Sequence, residues 1–330
     1  MSDSFDFTVI LATRNRASIL GEAIEPVLRQ ETRGFFTYEI LVADNGSTDD
    51  TKAVVEKIAA QAAVPVRYIY EDRRGKPYAL NAAMKEARGR FFAFVDDDTL
   101  AAPDWLACVF KCFKEEQADA VSGKILPKFM DERPAWYTDR AFWQIGGMGC
   151  IDHGPARAFS RKQKDCRWVG GNMAFRREAV DKVGGYDPRM VRGQDTEYYQ
   201  RFVKQGLAVV YEPAAVVYHK IGADRMTLDY FRRWRDRAGY YYAYLVEWRK
   251  LHLITVMPVW RYQRLWELFW IWVKKNWDKK EFWERFEAEL RFREELGLWA
   301  HRLQLWPRWW LTVITKRSYL PNVPVIYEER

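Results

Sequence analysis

Three consecutive carboxylates, Asp96-Asp97-Asp98, follow the apolar run at residues 90–95. Like charges crowded at one strand end repel each other unless a cation or hydrogen-bond donors compensate. A divalent ion is the natural compensator. Hard oxygen ligands favour Mg2+ or Mn2+ and leave coordination positions for substrate phosphates; the alternative is a solvated acidic turn. Asp44-Asn45-Gly46-Ser47-Thr48-Asp49 follows a second apolar run. Ser47 or Thr48 can cap the next helix and Gly46 permits a tight turn, which leaves Asp44 without a structural task. A carboxylate there can accept hydrogen bonds from a nucleobase N–H or ribose hydroxyls. Arg73-Arg74-Gly75-Lys76 precedes a helical segment holding Asn81, and its charges suit either a diphosphate or a solvated turn. Asp195, in Gly193-Gln194-Asp195-Thr196-Glu197, reads equally as a helix cap or as a general base that takes the proton of an attacking hydroxyl.

The elements that must position these groups are legible in the hydrophobic pattern. Apolar runs at residues 7–12, 39–43, 66–70 and 90–95 alternate with helical spacing at residues 18–28, 47–58 and 78–87. The series predicts an α/β fold with a mainly parallel sheet flanked by helices, whose ligands bind beyond the carboxyl ends of the strands. Strand one ends in Thr13-Arg14-Asn15-Arg16, strand two in the Asp44 turn, strand three in the Arg73–Lys76 segment and strand four in the aspartate triplet. Four polar ends along one rim predict a binding site. The glycine-rich phosphate fingerprint of dinucleotide folds is missing after strand one, which argues against a dinucleotide cofactor. Farther on, the pattern predicts a helix at 105–116, a strand at 120–123, an irregular stretch at 127–167, helices from 177 and 193, and strands around Pro213. From 226 onward it predicts about three helices punctuated by Pro258 and Pro307, then an irregular tail with Pro321 and Pro324.

Taken jointly, these pieces carry a resemblance. Thr8 to Arg16, the Asp44–Asp49 turn, Gly75-Lys76 with Ala79-Leu80-Asn81, the triplet, Gly170-Gly171-Asn172-Met173-Ala174-Phe175-Arg176, Gly184-Gly185-Tyr186-Asp187 and Gln194-Asp195 occur in the order seen in family 2 glycosyltransferases of the GT-A fold. The similarity spans about residues 6–220. It implies an inverting transferase that takes a sugar from a nucleotide-sugar donor, a UDP-sugar by analogy, to a hydroxyl acceptor on a glycan or lipid-linked molecule. By that resemblance Asp195 is the catalytic base, Asp44 binds the nucleobase, and Asp96 and Asp98 hold ribose and the metal diphosphate with Mn2+ or Mg2+. Thr13, Asn15, Arg74, Lys76, Asn81, Asp97, Gly171 and Asn172 complete the expected donor site. Some members place a histidine near His219 on the metal, although a lone histidine after a strand also serves structure. The usual Glu-Asp pair is Gln194-Asp195 here, which removes one charge beside the presumed base. The expected division is a catalytic domain at 1–222 and a helical extension at 223–330.

Composition bounds the remainder. The chain has 330 residues, 48% of them hydrophobic, and a net charge of +8. Residues 221–330 carry 21 basic against 14 acidic side chains and 12 of the 16 tryptophans, so the excess charge belongs to the extension. Tryptophan beside lysine and arginine suits an anionic membrane surface, and equally suits packing on the catalytic domain or in a homodimer. The best candidate span, residues 251–273, is broken by Arg261, Arg264 and Glu267, so no crossing is expected. The cysteines Cys108, Cys112, Cys150 and Cys166 form no CxxC pair, and no signal peptide precedes the first strand. These features predict a cytoplasmic protein, peripheral at the inner face of the cell membrane if the extension binds lipid. Nucleic acid is not an expected partner. Two other functions share some of these features: a nucleotidyltransferase, which lacks its triphosphate loop here, and a non-catalytic membrane- or nucleic-acid-binding protein, which has no need of the acidic rim.

Overall fold

The structure, a computed structural model, describes residues 5–146, 148–160, 168–190, 192–245 and 259–315. The chain divides into two compact units: residues up to 128 with 149–220, and, among the described residues, 129–148 with 221–315. In chain order the first unit begins with β1 (Phe5–Thr13), α1 (Ala17–Leu28), β2 (Tyr38–Asp44), α2 (Thr51–Gln61), β3 (Val66–Tyr70), α3 (Lys76–Glu86) and β4 (Gly89–Asp96). It continues with β5 (Thr99–Ala101), α4 (Trp105–Glu115) and β6 (Ala120–Phe129). The helix α5 (Asp139–Ile145) belongs to the second unit, and β7 (Ala158–Phe159), β8 (Met173–Arg176), α6 (Arg177–Val183), α7 (Gln194–Lys204) and β9 (Val209–Ile221) follow.

The described strands form one nine-stranded sheet in the order β3-β2-β1-β4-β8-β6-β9-β5, with β7 on β9. Pairing is parallel across β3, β2, β1 and β4. It is antiparallel between β8 and its neighbours β4 and β6, and between β9 and both β5 and β7. The architecture is thus the expected α/β sheet with helices on both faces, its parallel part confined to the first four strands. Side-chain alternation explains the two faces. Phe7, Val9 and Leu11 pack with Leu20 and Ile24 of α1 and Trp105 of α4, while Ile10, Leu41 and Phe94 pack with Ala79 and Ala83 of α3 and Phe202 of α7. Because both faces are covered, β1 and β2 read as unbroken apolar runs.

Several boundaries differ from expectation for identifiable reasons. The helix expected from Ser47 begins at Thr51, because Asp49 Oδ1 accepts the Thr51 N–H at 3.2 Å while Ser47 and Thr48 are engaged elsewhere. The stretch expected to be irregular contains α5, which Thr138 caps by accepting the Ala141 N–H, and the short β7. Strand β9 runs unbroken through Pro213, which lies between the residues paired with β7 and those paired with β5. Cys108 and Cys112 are free thiols; burial pushes the Cys112 thiol up to about 12, as suits a packing residue of α4.

In the second unit α5 is joined by α8 (Leu228–Leu245), α9 (Val259–Trp277) and α10 (Phe282–Thr315). Trp136 meets Phe231, Phe282 and Phe286 edge-on, and Glu289 accepts from both Arg232 and Arg293. A buried ion pair, Arg261 to Glu295 at 2.6 Å, ties α9 to α10. Pro307 does not end a helix as expected, since α10 continues through it. Proline removes one donor, a local loss within 34 residues of helix. No described helix is long and apolar enough to cross a membrane. Cys166, Pro258 and the tail with Pro321 and Pro324 lie outside the described residues.

Candidate active site

Asparagine side chains join the loops that follow β1, β2 and β3. Asn15, at φ 51°, donates its N–H to Ser47 Oγ and accepts the Thr48 N–H on Oδ1, each at 2.8 Å. Asn45 donates to the Arg73 carbonyl at 2.7 Å and accepts the Gly75 N–H at 2.8 Å. Asp44 is only 2% exposed. Its Oδ1 accepts the Ser47 N–H and its Oδ2 accepts the Tyr68 hydroxyl, both at 2.8 Å. Asp44 therefore closes its own turn, a structural task without a signal in the residue pattern. Burial, followed by the Asp44 hydrogen bond, pushes the Tyr68 phenol well up. Glu71 accepts the Arg73 backbone N–H and both arms of its guanidinium, which hold its carboxyl down at about 2. Arg73 is thereby committed, while Arg74 is exposed on the same loop.

The triplet is compensated partly from within the chain. Lys76, at the start of α3, forms an ion pair with Asp96. Burial opposes its ammonium form, but the charges of Asp96, Asp97 and Asp98 outweigh that and raise its pKa. Thr13 donates to Asp97 Oδ2 at 2.7 Å. Burial, with the Asp98 and Asp96 charges, nevertheless pushes the Asp97 carboxyl up. Asp98 turns toward β9, where Thr99 pairs in register with His219 and Asp98 Oδ2 stands 3.3 Å from His219 Nε2. Among the described residues no group of three or more His, Cys, Asp or Glu is arranged to hold a metal. The two-donor set of Asp98 and His219 still fits one ion: ligand atoms about 2.1 Å from a common metal lie about 3 Å apart.

Asp195 lies in the first turn of α7 with its carboxylate oriented by backbone donors. Gly170 N–H donates to Oδ2 at 3.0 Å and Thr196 N–H to Oδ1 at 2.8 Å, and the Trp168 indole N–H donates to the Asp195 carbonyl at 2.7 Å. Each carboxylate oxygen keeps accepting capacity beyond the bond described. Gly171 brings the chain past the triplet: at φ +95°, a Cβ on it would lie 3.0 Å from Asp96 Oδ2. Lys76, Asp96, Gly170, Gln194 and Asp195 line one narrow cleft together with Tyr186 and Phe94.

The structure thus brings Lys76, Asp96 and Asp195 to one cleft and sets Thr13 and Asp97 beside them. Asn81 and Asn172 stand otherwise. The Asn81 amide donates to the Tyr186 carbonyl and accepts the Tyr186 N–H, clamping the backbone of that segment. Asn172, 1% exposed, accepts the Trp105 indole N–H and donates to the carbonyls of Lys124 and Ala215. Its amide has no donor left over. Tyr186, which lines the cleft, and Trp168, which donates to the Asp195 carbonyl, carry no chemical signal in the sequence. Tyr186 was visible only as a member of Gly184-Gly185-Tyr186-Asp187; its ring stacks on Tyr198 with centroids 4.2 Å apart.

The family model for glycosyl transferase family 2 matches residues 8–184, more than half of the chain. The chain belongs to glycosyl transferase family 2. The match takes in the joined loops, the aspartate triplet and Gly170 to Asn172, and ends before α7. Among curated members, the chain is similar to the glucosyl-dolichyl phosphate glucuronosyltransferase of Haloferax volcanii, 24% identical over 225 residues, covering 65% of this chain and 68% of that one. It is also similar to the succinoglycan biosynthesis protein ExoM of Rhizobium meliloti, 23% identical over 203 residues, covering 61% and 62% of the two chains. Among solved structures, the mannosyltransferase PcManGT of Pyrobaculum calidifontis, in complex with GDP-Man and Mn2+, superposes with a TM-score of 0.54 at 20% identity, over 95% of this chain and 79% of that one. S. aureus TarS 1-349 in complex with UDP-GlcNAc gives 0.52 at 18% identity, over 72% and 66%. These likenesses establish the GT-A fold.

Proposed function

We propose that this family 2 member is an inverting, metal-dependent transferase that moves a sugar from a nucleotide diphosphosugar, a UDP-sugar in the first instance, to a hydroxyl of a glycan or lipid-linked acceptor. The transfer chemistry belongs to residues 1–222, with 223–330 as an appended helical extension. The observation that carries the reading is the shared cleft of Asp96, Lys76 and Asp195, with the Asp195 carboxylate aimed by two backbone N–H groups. Support also comes from relatives whose names or complexes specify nucleotide sugars, Mn2+ and a dolichyl phosphate.

The reaction is a single displacement. The acceptor oxygen bonds to the anomeric carbon as the bond from that carbon to the diphosphate oxygen breaks, which inverts the centre. Asp195 takes the proton released by the attacking hydroxyl. Lys76 and the exposed Arg74 offer positive charge to the departing nucleoside diphosphate. A Mn2+ or Mg2+ ion held by Asp98 and His219 would supply further neutralisation of that leaving group. In this reading Asp44 binds the nucleobase, and Thr13, Asn15 and Asp97 complete the donor site. Asn81 clamps the Tyr186 backbone, Asn172 ties β8 to its neighbours, and Gly171 leaves room beside Asp96. The reading includes a peripheral protein at the inner face of the cell membrane.

A thermal-shift screen of sugar nucleotides with and without Mn2+ tests it. The expected result is a metal-dependent rise in Tm with one donor class, abolished by Asp98→Ala, together with release of the nucleoside diphosphate when acceptor is added. If no sugar nucleotide shifts the transition or is consumed, the proposal fails.

A further inference from the structure

The inner face of α9 is fully engaged. Arg261 pairs with Glu295, Leu268 is buried, and Trp272 stacks on Phe292 of α10 with centroids 5.8 Å apart and planes 12° apart. At 100° per residue, Trp266, Trp270 and Trp277 fall within about 40° of one another on a different face. They are 62%, 50% and 84% exposed. Such a stripe is not needed to hold the hairpin together. Four lysines, Lys274, Lys275, Lys279 and Lys280, surround its carboxyl-terminal end against two acids, Asp278 and Glu281.

We infer that this face of α9 is an interfacial docking surface for an anionic lipid bilayer. Tryptophan carries a large apolar body with one N–H, which suits the boundary between acyl chains and headgroups, and lysines at the same level are drawn to anionic headgroups. A second copy of the chain fits less well. Three partly exposed tryptophans offer about 400–500 Å2, short of the roughly 800 Å2 per partner of a standard interface. Lysine is also depleted at protein interfaces, whereas it is enriched beside membrane-lying helices. The helix lies on the bilayer and does not cross it, as its Arg264, Glu267, Lys274 and Lys275 require. This sharpens the peripheral reading above and assigns it to named residues.

The test is flotation of the full chain with vesicles of phosphatidylcholine alone and with phosphatidylserine added. Expected is flotation with the anionic vesicles that falls as salt rises. Lys274→Gln with Lys275→Gln should weaken partitioning about 25-fold, from the usual contribution of a lysine near an anionic surface. Trp266→Ala with Trp270→Ala should remove flotation even at low salt, while elution volume, Tm and transfer to a water-soluble acceptor stay those of the wild type. The inference is overturned if the wild type stays in the soluble fraction with anionic vesicles, or if the tryptophan variant floats like the wild type. It is also overturned if that variant instead converts a dimer to a monomer. Transfer to the water-soluble acceptor is read in the same preparations, so failure of lipid docking is distinguishable from failure of the transferase assignment.

Discussion

Asn172 belongs to a stretch by which the family resemblance is recognised, yet its geometry is that of a strut, and the two roles separate cleanly on mutation. Asn172→Ala would leave the Trp105 indole N–H and the carbonyls of Lys124 and Ala215 without their partner, with Trp105 and Ala215 fully buried. Each orphaned buried group costs about 1–2 kcal/mol, so the sum is about 3–6 kcal/mol, a large fraction of the roughly 5–15 kcal/mol that holds a domain folded. For a unit of this size the transition should fall by about 6–24 °C. Asn172→Asp should do worse, because it replaces the NH2 group that donates to both carbonyls with an oxygen that can only accept and faces them. Urea denaturation and thermal scans measure the loss, and donor KM is read on the folded fraction. The expected outcome is a large fall in stability with donor KM near that of the wild type. A variant as stable as the wild type but with a strongly raised donor KM would refute the strut and make Asn172 a ligand of the donor.

Asp195→Asn should lower kcat by about 10²–10⁴, the usual contribution of a positioned base, while a nucleotide thermal shift is retained; unchanged turnover would remove Asp195 from its role. Gly171→Ala forces a side chain into a left-handed backbone and against the Asp96 carboxylate, so donor binding should weaken more than global stability. Calorimetry that finds wild-type donor affinity would count against that packing. Glu71 provides a pH handle. Its carboxyl is lowered from 4.5 to about 2, first by the Arg73 side-chain hydrogen bonds, so its stabilising contribution is complete above 4.5 and is lost as pH falls toward 2. In Glu71→Gln the decline of Tm over that acid range should be shallower, and parallel curves for the two proteins would contradict the assignment.

The parallel half of the sheet was legible because β1, β2 and β4 are covered on both faces, so residues 7–12 and 39–43 announce themselves as apolar runs. The three-residue β5 and two-residue β7 carry too few side chains for any period to register. Pro213 suggested a break in β9 because sequence does not reveal that neither short partner strand reaches it. At the site, chemistry-bearing types such as the aspartate triplet and Asp195 stand out by spacing alone. The commitments of amides do not. Asn172 meets partners 67 and 43 residues away, and Asn81 meets Tyr186 across 105 residues, distances that only the folded sheet closes. Ser47 and Thr48 looked like caps for the same reason: their true neighbour, Asn15, is on another loop.

The lacing of three loops through Asn15 and Asn45 has a bearing on selectivity. Segments already fixed in the folded chain have little freedom left to surrender when a ligand arrives, so association on that side should be fast and free of a preceding rearrangement. The same stiffness denies a poorly matched base any adaptive fit. Discrimination there would work by refusal, and tolerance of different donors would have to be sought where the sugar lies.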